Sequence, residues 1–351
     1  MSTDRMKIGI TMGDPAGIGA EIIVKALKST EVYKKCIPIV IGDYEPLIDA
    51  IRFTHSKLQL REIKTVAEAS GEYGVIDFIN LDLIKKGGWE YKKPQAICGD
   101  ASFQYVTYAI GLAMKHEIGA VITAPINKES LNIAGHHYSG HTEIFAEYTN
   151  TPHYGMMLAS GSLRVIHVST HCSLRQACDR VKKDRVLEVI HLAAEGCRLL
   201  GIENPTIGVA GLNPHASENG LFGTEEKEEI IPAIEEARRQ GLNVIGPEPP
   251  DTVFVKCLGG SYDIVVAMYH DQGHIPLKLS GFRMNPGTKA YTTMSGINCT
   301  IGLPIIRASV DHGTAYGKAG EARANEESML DAIFAGIEMS KNMFGDGEHA
   351  H

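Results

Sequence analysis

Short runs of apolar residues, rich in Ile and Val and bounded by Gly, Pro or Asp, recur along the chain. Runs of this length and composition are typical of strands buried on both faces of a sheet. Between several of them, apolar residues repeat every three or four positions, which is typical of helices that cover a sheet. This alternation predicts an α/β fold. The predicted strands are 7–12, 37–42, 74–79, 120–124, 163–168, 206–211, 243–246 and 263–268, and the predicted helices are 19–29, 101–117, 179–200, 224–240 and 325–342.

Three segments depart from this alternation. Residues 281–296 contain polar residues, Pro286 and three glycines, and we expect a surface loop or hairpin there. Pro232 lies inside the predicted helix 224–240, so it either kinks that helix or marks its true first turn. Residues 345–351 have too little apolar content to pack, and we expect this tail to fray.

The charge balance of the chain is mildly acidic. Of 351 residues, 34 are Lys or Arg and 42 are Asp or Glu, which gives a formal net charge of −8 at pH 7. A chain without a basic excess has no electrostatic attraction for nucleic acid or for anionic lipid. We therefore expect a small-molecule partner, with no nucleic acid and no membrane partner. The length suggests about two structural units.

The cysteines and the first residues indicate the compartment. The seven cysteines are odd in number, widely spaced and never arranged as Cys-x-x-Cys, so we expect reduced and mostly buried thiols. No apolar run near the start precedes a small-residue cleavage site, and no apolar stretch approaches the roughly 18 residues of a membrane span. The expected location is the cytoplasm.

A glycine-rich turn follows the first predicted strand. Residues 13–21 resemble a dinucleotide-binding fingerprint that opens a helix. A Gly-x-Gly-x-x-Gly pattern that starts at Gly17 needs a glycine at position 22, which is Ile22. The spacing alone therefore indicates a tight strand-to-helix turn, and a cofactor role for it needs other support.

Three histidines lie just after predicted strands: His171, His215 and His270. Ligands of open α/β sheets gather outside the carboxyl ends of the strands, and three neutral imidazoles there would hold a divalent cation. A histidine at a strand end is also often a hydrogen-bonded packing residue. Spacing alone leaves both interpretations open.

Other residues favour an anionic ligand. His141 and Thr142 open a predicted helix, where they either cap the helix or help its N–H groups to bind an anion. Lys278 and Arg307 end apolar runs, and an Arg in such a run needs a carboxylate or phosphate partner. Residues 311–315 surround a glycine with polar groups, which indicates a plain loop or a turn beside a ligand.

Seven motifs follow one another along the chain: GDPAGIGAE (13–21), GHTE (140–143), THCSLR (170–175), GLNPHASENGLFGTEE (211–226), PDT (250–252), YHDQGHIPLK (269–278) and GLPIIRASVDHGTA (302–315). In this order, and across nearly the whole chain, they resemble the 4-hydroxythreonine-4-phosphate dehydrogenase family. A second resemblance is more distant: residues 17–21 and 312–325 are similar to motifs of the isopropylmalate and isocitrate dehydrogenases.

The resemblance implies a fold and an assembly. The expected fold is the two-lobed α/β/α fold of the isocitrate and isopropylmalate dehydrogenases, with the active site in the cleft between the lobes. An NAD-binding lobe would comprise 1–125 and 290–351, and a metal, substrate and dimerisation lobe 126–289. The expected assembly is a homodimer in which each subunit completes the other's active site.

The resemblance also assigns roles to residues of this chain. The metal ligands would be His171, His215 and His270. The substrate contacts would be His141, Thr142, Lys278, Asn298 and Arg307. The NAD contacts would be Asp311, His312, Gly313, Thr314 and Asn325. The resemblance does not assign the general base, for which Asp271 and Lys278 are candidates by their position.

Two features imply a particular branch of the family. The connection between Lys278 and Asn298 is longer than in the biosynthetic members, and His274 follows the HDQG motif. Both features resemble the branch that oxidises and decarboxylates D-threonate or D-erythronate 4-phosphate to dihydroxyacetone phosphate and CO2. The alternatives are a 4-phosphooxy-L-threonine dehydrogenase of pyridoxal phosphate biosynthesis and a catalytically silent, ligand-binding relative.

The implied cofactors are NAD and a divalent metal. A histidine-rich site suits Zn²⁺, Co²⁺ or Mn²⁺, and Mg²⁺ could support turnover once substrate oxygens complete its shell. No run of basic residues stands where the 2′-phosphate of NADP would be expected, which favours NAD.

Overall fold

A computed structural model describes residues 5–287 and 291–345 of the chain. The chain divides into two compact units, 1–152 with 303–351, and 153–302. Both boundaries lie further along the chain than the predicted lobe boundaries at 125/126 and 289/290. The difference arises because the segment after residue 125 forms helices that pack on a long helix of the first unit.

The strands are short and mostly buried. They are β1 (Lys7–Thr11), β2 (Ile37–Gly42), β3 (Gln59–Ile63), β4 (Val75–Asn80), β5 (Ala120–Thr123), β6 (Gly155–Ser160), β7 (Leu163–His167), β8 (Ile207–Ala210), β9 (Val244–Glu248), β10 (Ile264–Ala267), β11 (Phe282–Met284), β12 (Tyr291–Met294), β13 (Ile297–Ile301) and β14 (Ile306–Val310).

The helices flank the strands in sequence. They are α1 (Gly19–Ala26), α2 (Thr30–Lys35), α3 (Tyr44–Phe53), α4 (Ala96–Met114), α5 (Lys128–Ile133), α6 (His141–Tyr148), α7 (Leu174–Arg180), α8 (Lys183–Leu199), α9 (Ile231–Arg239), α10 (Val253–Leu258), α11 (His270–Gly281) and α12 (Glu327–Phe344). Short 3-10 turns occupy Val66–Glu68, Pro214–Glu218 and Tyr316–Lys318, and a π-helical turn occupies Glu226–Ile230.

The first unit contains a parallel sheet in the order β3-β4-β2-β1-β5-β14. Its central strands are continuous apolar runs because helices cover both faces, and Ile8, Ile10 and Ile39 are fully buried. Helix α12 packs on β14 and β5, and α4 packs on α5 and α6. The predicted helix 325–342 is therefore confirmed as a docked element.

The second unit contains a mixed sheet in the order β13-β6-β7-β10-β8-β9. The pairs β13–β6 and β6–β7 are antiparallel, whereas β7, β10, β8 and β9 run parallel. The carboxyl ends of β7, β10 and β8 consequently lie at one edge of the sheet. The α/β class predicted from the hydrophobic pattern is confirmed in both units.

All eight predicted strands are present, and the segment 281–296 contains the predicted hairpin, β11 paired antiparallel with β12. Residues 288–290 of that segment, and 346–351 of the predicted tail, lie outside the described residues. The pattern missed β3 and β6, because β3 is a partly exposed, polar edge strand and β6 is rich in Met and Ala rather than β-branched residues. It also missed β13 and β14, which complete the two sheets.

Two predicted helices are each divided into two helical segments. The predicted helix 179–200 is divided between α7 and α8, with extended backbone at Lys182. Pro232 lies in the first turn of α9, but the π-helical turn Glu226–Ile230 before it is already helical, so the proline stands where the helix changes from π to α rather than at its beginning. Five of the seven cysteines are buried, as expected. Within the described parts of the chain, no helix is long and apolar enough to cross a membrane.

Candidate functional site

The three predicted metal ligands lie at the carboxyl edge of the second unit's sheet. His171 follows β7, His215 lies in the 3-10 turn after β8, and His270 is the first residue of α11, after β10. These strands are neighbours in the order β7-β10-β8 and run parallel. The predicted position of each histidine after a strand is confirmed, the structure adds that the three strands are neighbours, and metal binding by these residues remains a prediction.

The structure brings two of the three imidazoles close together. The ring centroids of His171 and His270 are 6.0 Å apart. Because a zinc–nitrogen bond is about 2 Å long, two rings that share an ion have centroids about 5 Å apart, which small ring movements would achieve here. Across residues 5–287 and 291–345, no group of three or more His, Cys, Asp or Glu side chains is placed to hold a metal.

Carboxylates set the orientation of two of these rings. Nδ1 of His215 donates to Oε1 of Glu218 over 2.6 Å, and Nδ1 of His270 donates to Oδ1 of Asp271 over 2.7 Å. In each ring Nε2 then carries the lone pair, as in histidines that bind metal ions with a carboxylate on the other nitrogen. The bond to Glu218 also raises the pKa of His215. The donor chemistry therefore fits a divalent metal.

The loop that carries His215 has an unusual backbone. Residues 215–219 all have positive φ values, from 43° to 70°, although none of them is glycine. Left-handed conformations cost non-glycine residues about 1–2 kcal/mol each, so packing must hold the loop. Ser217 Oγ donates to the Gly223 carbonyl over 2.5 Å, and the Asn213 backbone N–H donates to Glu226 Oε1 over 2.7 Å. Such stored strain is typical of functional sites.

Two further histidines lie at this edge that the motifs did not indicate as site residues. His274 stacks on His270 with ring centroids 3.6 Å apart, and His167 lies 4.8 Å from His274. Burial, with a smaller contribution from neighbouring imidazoles, lowers the pKa of His167 to about 3 and of His274 to about 4. The four-residue spacing of His270 and His274 could have indicated that both side chains lie on one face of a helix. His167 is the last residue of a buried strand, and nothing in the sequence marks it as a site residue.

The two predicted general bases occupy different positions on α11. Asp271 is held by its hydrogen bond to His270. Lys278 lies two turns after His270 on the same helix face, with Nζ 4.7 Å from the centroid of the Phe282 ring. Asn298 lies on β13, in register with Leu158. The contact of Asp271 favours a role in orienting His270, and the choice between the two as general base remains a prediction.

In the first unit, the predicted anion-binding residue Arg307 carries a buried guanidinium. Arg307 on β14 is 2% exposed, donates from Nη2 to Thr123 Oγ1 over 3.1 Å, and lies 5.9 Å from the Phe145 ring centroid. Guanidinium groups bind carboxylate and phosphate in a bidentate manner. The setting therefore suits an anionic group of a substrate.

His141 and Thr142 lie in the first turn of α6, and Gly140 is the N-cap residue, so neither side chain caps the helix. His141 is buried, and its Nε2 has no hydrogen-bond partner among the described residues. Burial, and secondarily the charge of Arg307, lowers the pKa of His141 well below 6.5. A neutral, buried imidazole with an unmade hydrogen bond suits ligand binding.

The segment 311–325 packs against the glycine-rich turn 13–21. The backbone N–H of Ile18 donates to the Thr314 carbonyl over 3.1 Å, and the N–H of Ala324 donates to Glu21 Oε1 over 2.7 Å. A Cβ at Gly17 would lie 3.0 Å from Thr314, and one at Gly19 would lie 2.0 Å from a backbone oxygen. These glycines permit close packing, which agrees with the tight strand-to-helix turn that their spacing indicates.

The predicted NAD contacts all belong to this segment. Asp311 and Thr314 are buried, Asn325 Oδ1 accepts from the N–H of Glu327 over 2.8 Å, and His312 Nδ1 donates to the Gly313 carbonyl over 3.1 Å. Gly313 is exposed, and a Cβ there would meet nothing within 4 Å. The backbone at Gly313 is therefore open to a ligand, which fits a cofactor-binding loop.

Comparison with known proteins places the chain in a family. The model of the family described as pyridoxal phosphate biosynthetic protein PdxA matches residues 34–335. The D-threonate 4-phosphate dehydrogenase of Cupriavidus necator is 47% identical over 334 residues, covering 95% of this chain and 97% of that protein. The D-threonate 4-phosphate dehydrogenase of Salmonella typhimurium is 46% identical over 335 residues, covering 95% and 98%.

A solved structure of a related dehydrogenase is also similar to this chain. The 4-hydroxythreonine-4-phosphate dehydrogenase from Klebsiella pneumoniae matches with a TM-score of 0.83 and 43% identity, covering 95% of this chain and 99% of that chain. The fold and the motifs therefore coincide over nearly the whole length of both proteins. The chain belongs to the PdxA family, and like the dehydrogenases that it matches it is an oxidoreductase.

Proposed function

We propose that the protein is a cytoplasmic, NAD-dependent and divalent-metal-dependent dehydrogenase of a phosphorylated four-carbon sugar acid. The substrate would be D-threonate 4-phosphate or D-erythronate 4-phosphate, and the products dihydroxyacetone phosphate and CO2. The relatives named D-threonate 4-phosphate dehydrogenase, matched over 95% of this chain, support this substrate class.

One observation carries the metal-dependent chemistry. His171, His215 and His270 follow three neighbouring parallel strands, and a carboxylate orients two of the rings through Nδ1. A divalent metal bound there would act as a Lewis acid on the substrate's C2 and C3 oxygens. Glu218 and Asp271 would hold His215 and His270 in the tautomer that ligates through Nε2.

The other predicted residues recognise the substrate and the cofactor. Arg307 and His141 supply a cationic and a neutral hydrogen-bonding group in a buried setting, which suits a phosphate or carboxylate. Lys278, on the helix that begins with His270, would receive the proton of the C3 hydroxyl. The loop around Gly313 would hold NAD.

We propose a homodimer in which the partner completes the metal site. The described part of one chain has no group of three ligands in place, although His171 and His270 approach each other. A second copy that contributed its own His215 would complete the set, and two-fold symmetry would form the same site twice.

A second activity is supported by the family description and by the names of solved relatives. These relatives are 4-hydroxythreonine-4-phosphate dehydrogenases, and the family is described as biosynthetic for pyridoxal phosphate. The corresponding substrate, 4-phosphooxy-L-threonine, carries an ammonium group at C2 in place of a hydroxyl. Its binding would need an acceptor that a hydroxy acid does not need.

The experiment that tests the proposal is a substrate comparison with purified protein, NAD and Mn²⁺. NADH formation and triose phosphate release are measured with D-threonate 4-phosphate, D-erythronate 4-phosphate and 4-phosphooxy-L-threonine in turn. Preference for a sugar acid, with dihydroxyacetone phosphate released, is expected. Preference for the aminated substrate would establish the biosynthetic activity instead, and no NADH with any substrate would refute both.

A further inference from the structure

The rings of His270 and His274 form a close parallel stack. Their centroids are 3.6 Å apart and their planes differ by 12°. Nδ1 of His274 donates to the backbone carbonyl of His270 over 3.0 Å, one helical turn away. The orientation of the His274 ring is thus set by the helix backbone, and that ring provides a flat surface against which His270 rests.

His167 supports this stack from the sheet. It is 1% exposed, its Nδ1 donates to the Met156 carbonyl over 3.3 Å, and its centroid lies 4.8 Å from that of His274. Its Nε2 is buried as well. The ring is therefore enclosed between the sheet and α11.

Gly273 allows the sheet and the helix to approach this closely. A Cβ at this position would lie 2.4 Å from Nε2 of His167 and 2.6 Å from a side-chain carbon of Val165. Any larger residue would therefore push the first turn of α11 away from β7. Gly273, the glycine of the HDQGH motif, is therefore needed for α11 to pack this closely on His167 and β7.

We propose that His274, seated against His167 across Gly273, is a positioning residue that holds the His270 ring in the orientation required for metal binding. Asp271 fixes His270 through Nδ1 at one edge, and His274 fixes the plane of the ring through its face. This inference rests on the proposed metal-binding role of His270.

The test distinguishes a role of the aromatic face of His274 from a role of its ring nitrogens. His274→Phe keeps an aromatic face, whereas His274→Leu removes it at similar volume. Cobalt(II) is titrated into each metal-free variant and followed by visible absorption, and the melting temperature reports the fold. We expect His274→Leu to weaken cobalt affinity by about 10- to 100-fold, as removal of residues that orient metal ligands typically does, and His274→Phe to stay within about threefold of wild type.

Controls distinguish this inference from the proposed function. His153→Ala removes a histidine of the same unit whose side chain is 75% exposed, and cobalt affinity should not change. His270→Ala should abolish binding, and retained binding would refute the proposed metal site itself. If His270→Ala loses cobalt while His274→Leu keeps it, the positioning role is wrong. Equal losses in His274→Phe and His274→Leu would also overturn it, because His274 would then act through its nitrogens.

A second pair of variants tests the contact beneath the stack. Gly273→Ala should displace the first turn of α11 and weaken cobalt affinity at least about tenfold. Gly259→Ala is the matched control, since a Cβ there would meet its nearest atom at an ordinary 3.4 Å. Unchanged cobalt affinity in a folded Gly273→Ala protein would contradict the proposed support by His167.

Discussion

The hydroxyl of Tyr316 donates a hydrogen bond over 2.8 Å to Oδ2 of Asp14, which joins the segment 311–325 to the glycine-rich turn 13–21. Asp14 is fully buried and accepts a second bond from the N–H of Ala16 at Oδ1. Burial raises the pKa of Asp14, and burial together with Asp14 raises the pKa of Tyr316. Tyr316 therefore remains a donor throughout the neutral range.

Tyr316→Phe should destabilise the protein by about 1–3 kcal/mol, because a buried carboxyl loses one of its donors. It should also weaken NAD binding, since the proposed cofactor loop loses a contact with its support. Urea denaturation and NADH titration measure the two effects. Tyr108→Phe is the control, because Tyr108 is 39% exposed, and it should change the unfolding free energy by less than about 0.5 kcal/mol. Equal stability of the two variants would refute the prediction.

The stability of the protein should depend on His141 below pH 6.5. Burial lowers the pKa of His141 in the folded protein, so below 6.5 the unfolded chain binds a proton that the folded one excludes. The contribution of His141 is therefore fully present above pH 6.5 and is lost as the pH falls, by about 1.4 kcal/mol per pH unit.

His141→Gln removes this proton, so the difference in unfolding free energy between wild type and variant should shrink by about 2 kcal/mol from pH 8 to pH 5. Urea denaturation across this range measures it. The exposed His137 provides the control. The difference in unfolding free energy between wild type and His137→Gln should stay nearly constant from pH 8 to pH 5. A pH-independent difference for His141→Gln would show that folding does not shift the pKa of this ring.

Gly19 and Gly111 should respond to alanine in opposite directions. A Cβ at Gly19 would lie 2.0 Å from the carbonyl oxygen of Met12, so Gly19→Ala forces α1 away from β1 at a cost of about 3 kcal/mol. Gly111 lies inside α4 with nothing within 4 Å of the added Cβ. Gly111→Ala should therefore stabilise the protein by about 0.5–1 kcal/mol. Thermal denaturation compares the two, and a tolerated Gly19→Ala would contradict the packing role of that turn.

Mixed dimers should reveal whether a metal site draws on two chains. His215→Ala and His270→Ala proteins should each be inactive. If His215 comes from one chain and His171 with His270 from the other, random mixing restores about a quarter of wild-type activity, since half of the dimers then contain one intact site of two.

The control for this experiment mixes His171→Ala with His270→Ala. Both changes affect the pair that one chain contributes, so every site in the mixed dimer retains a defect and no activity should return. NADH formation after co-refolding gives the readout, and metal content confirms that sites have reformed. Inactivity of the His215→Ala and His270→Ala mixture would place His215 and His270 of one site on the same chain and refute the proposed sharing of ligands.

Local patterns in the sequence determined the α/β class, all eight strands that were predicted, and the position of His171, His215 and His270 at strand ends. These features are local. A buried strand needs a continuous apolar run, and the residue that follows such a run can be identified from the sequence without knowing the fold. The motifs also determined the family, since they occur in order along the chain.

The tertiary structure decided which strands are neighbours and which side chains meet. The order β7-β10-β8 places three distant histidines at one edge, and the packing of β7 under α11 brings His167 beside His274. The sequence likewise does not predict the close approach of Gly273 to His167 or the hydrogen bond between Tyr316 and Asp14. Hydrophobic periodicity reports which face of an element is buried, whereas the partner of that face depends on long-range packing that no local pattern records.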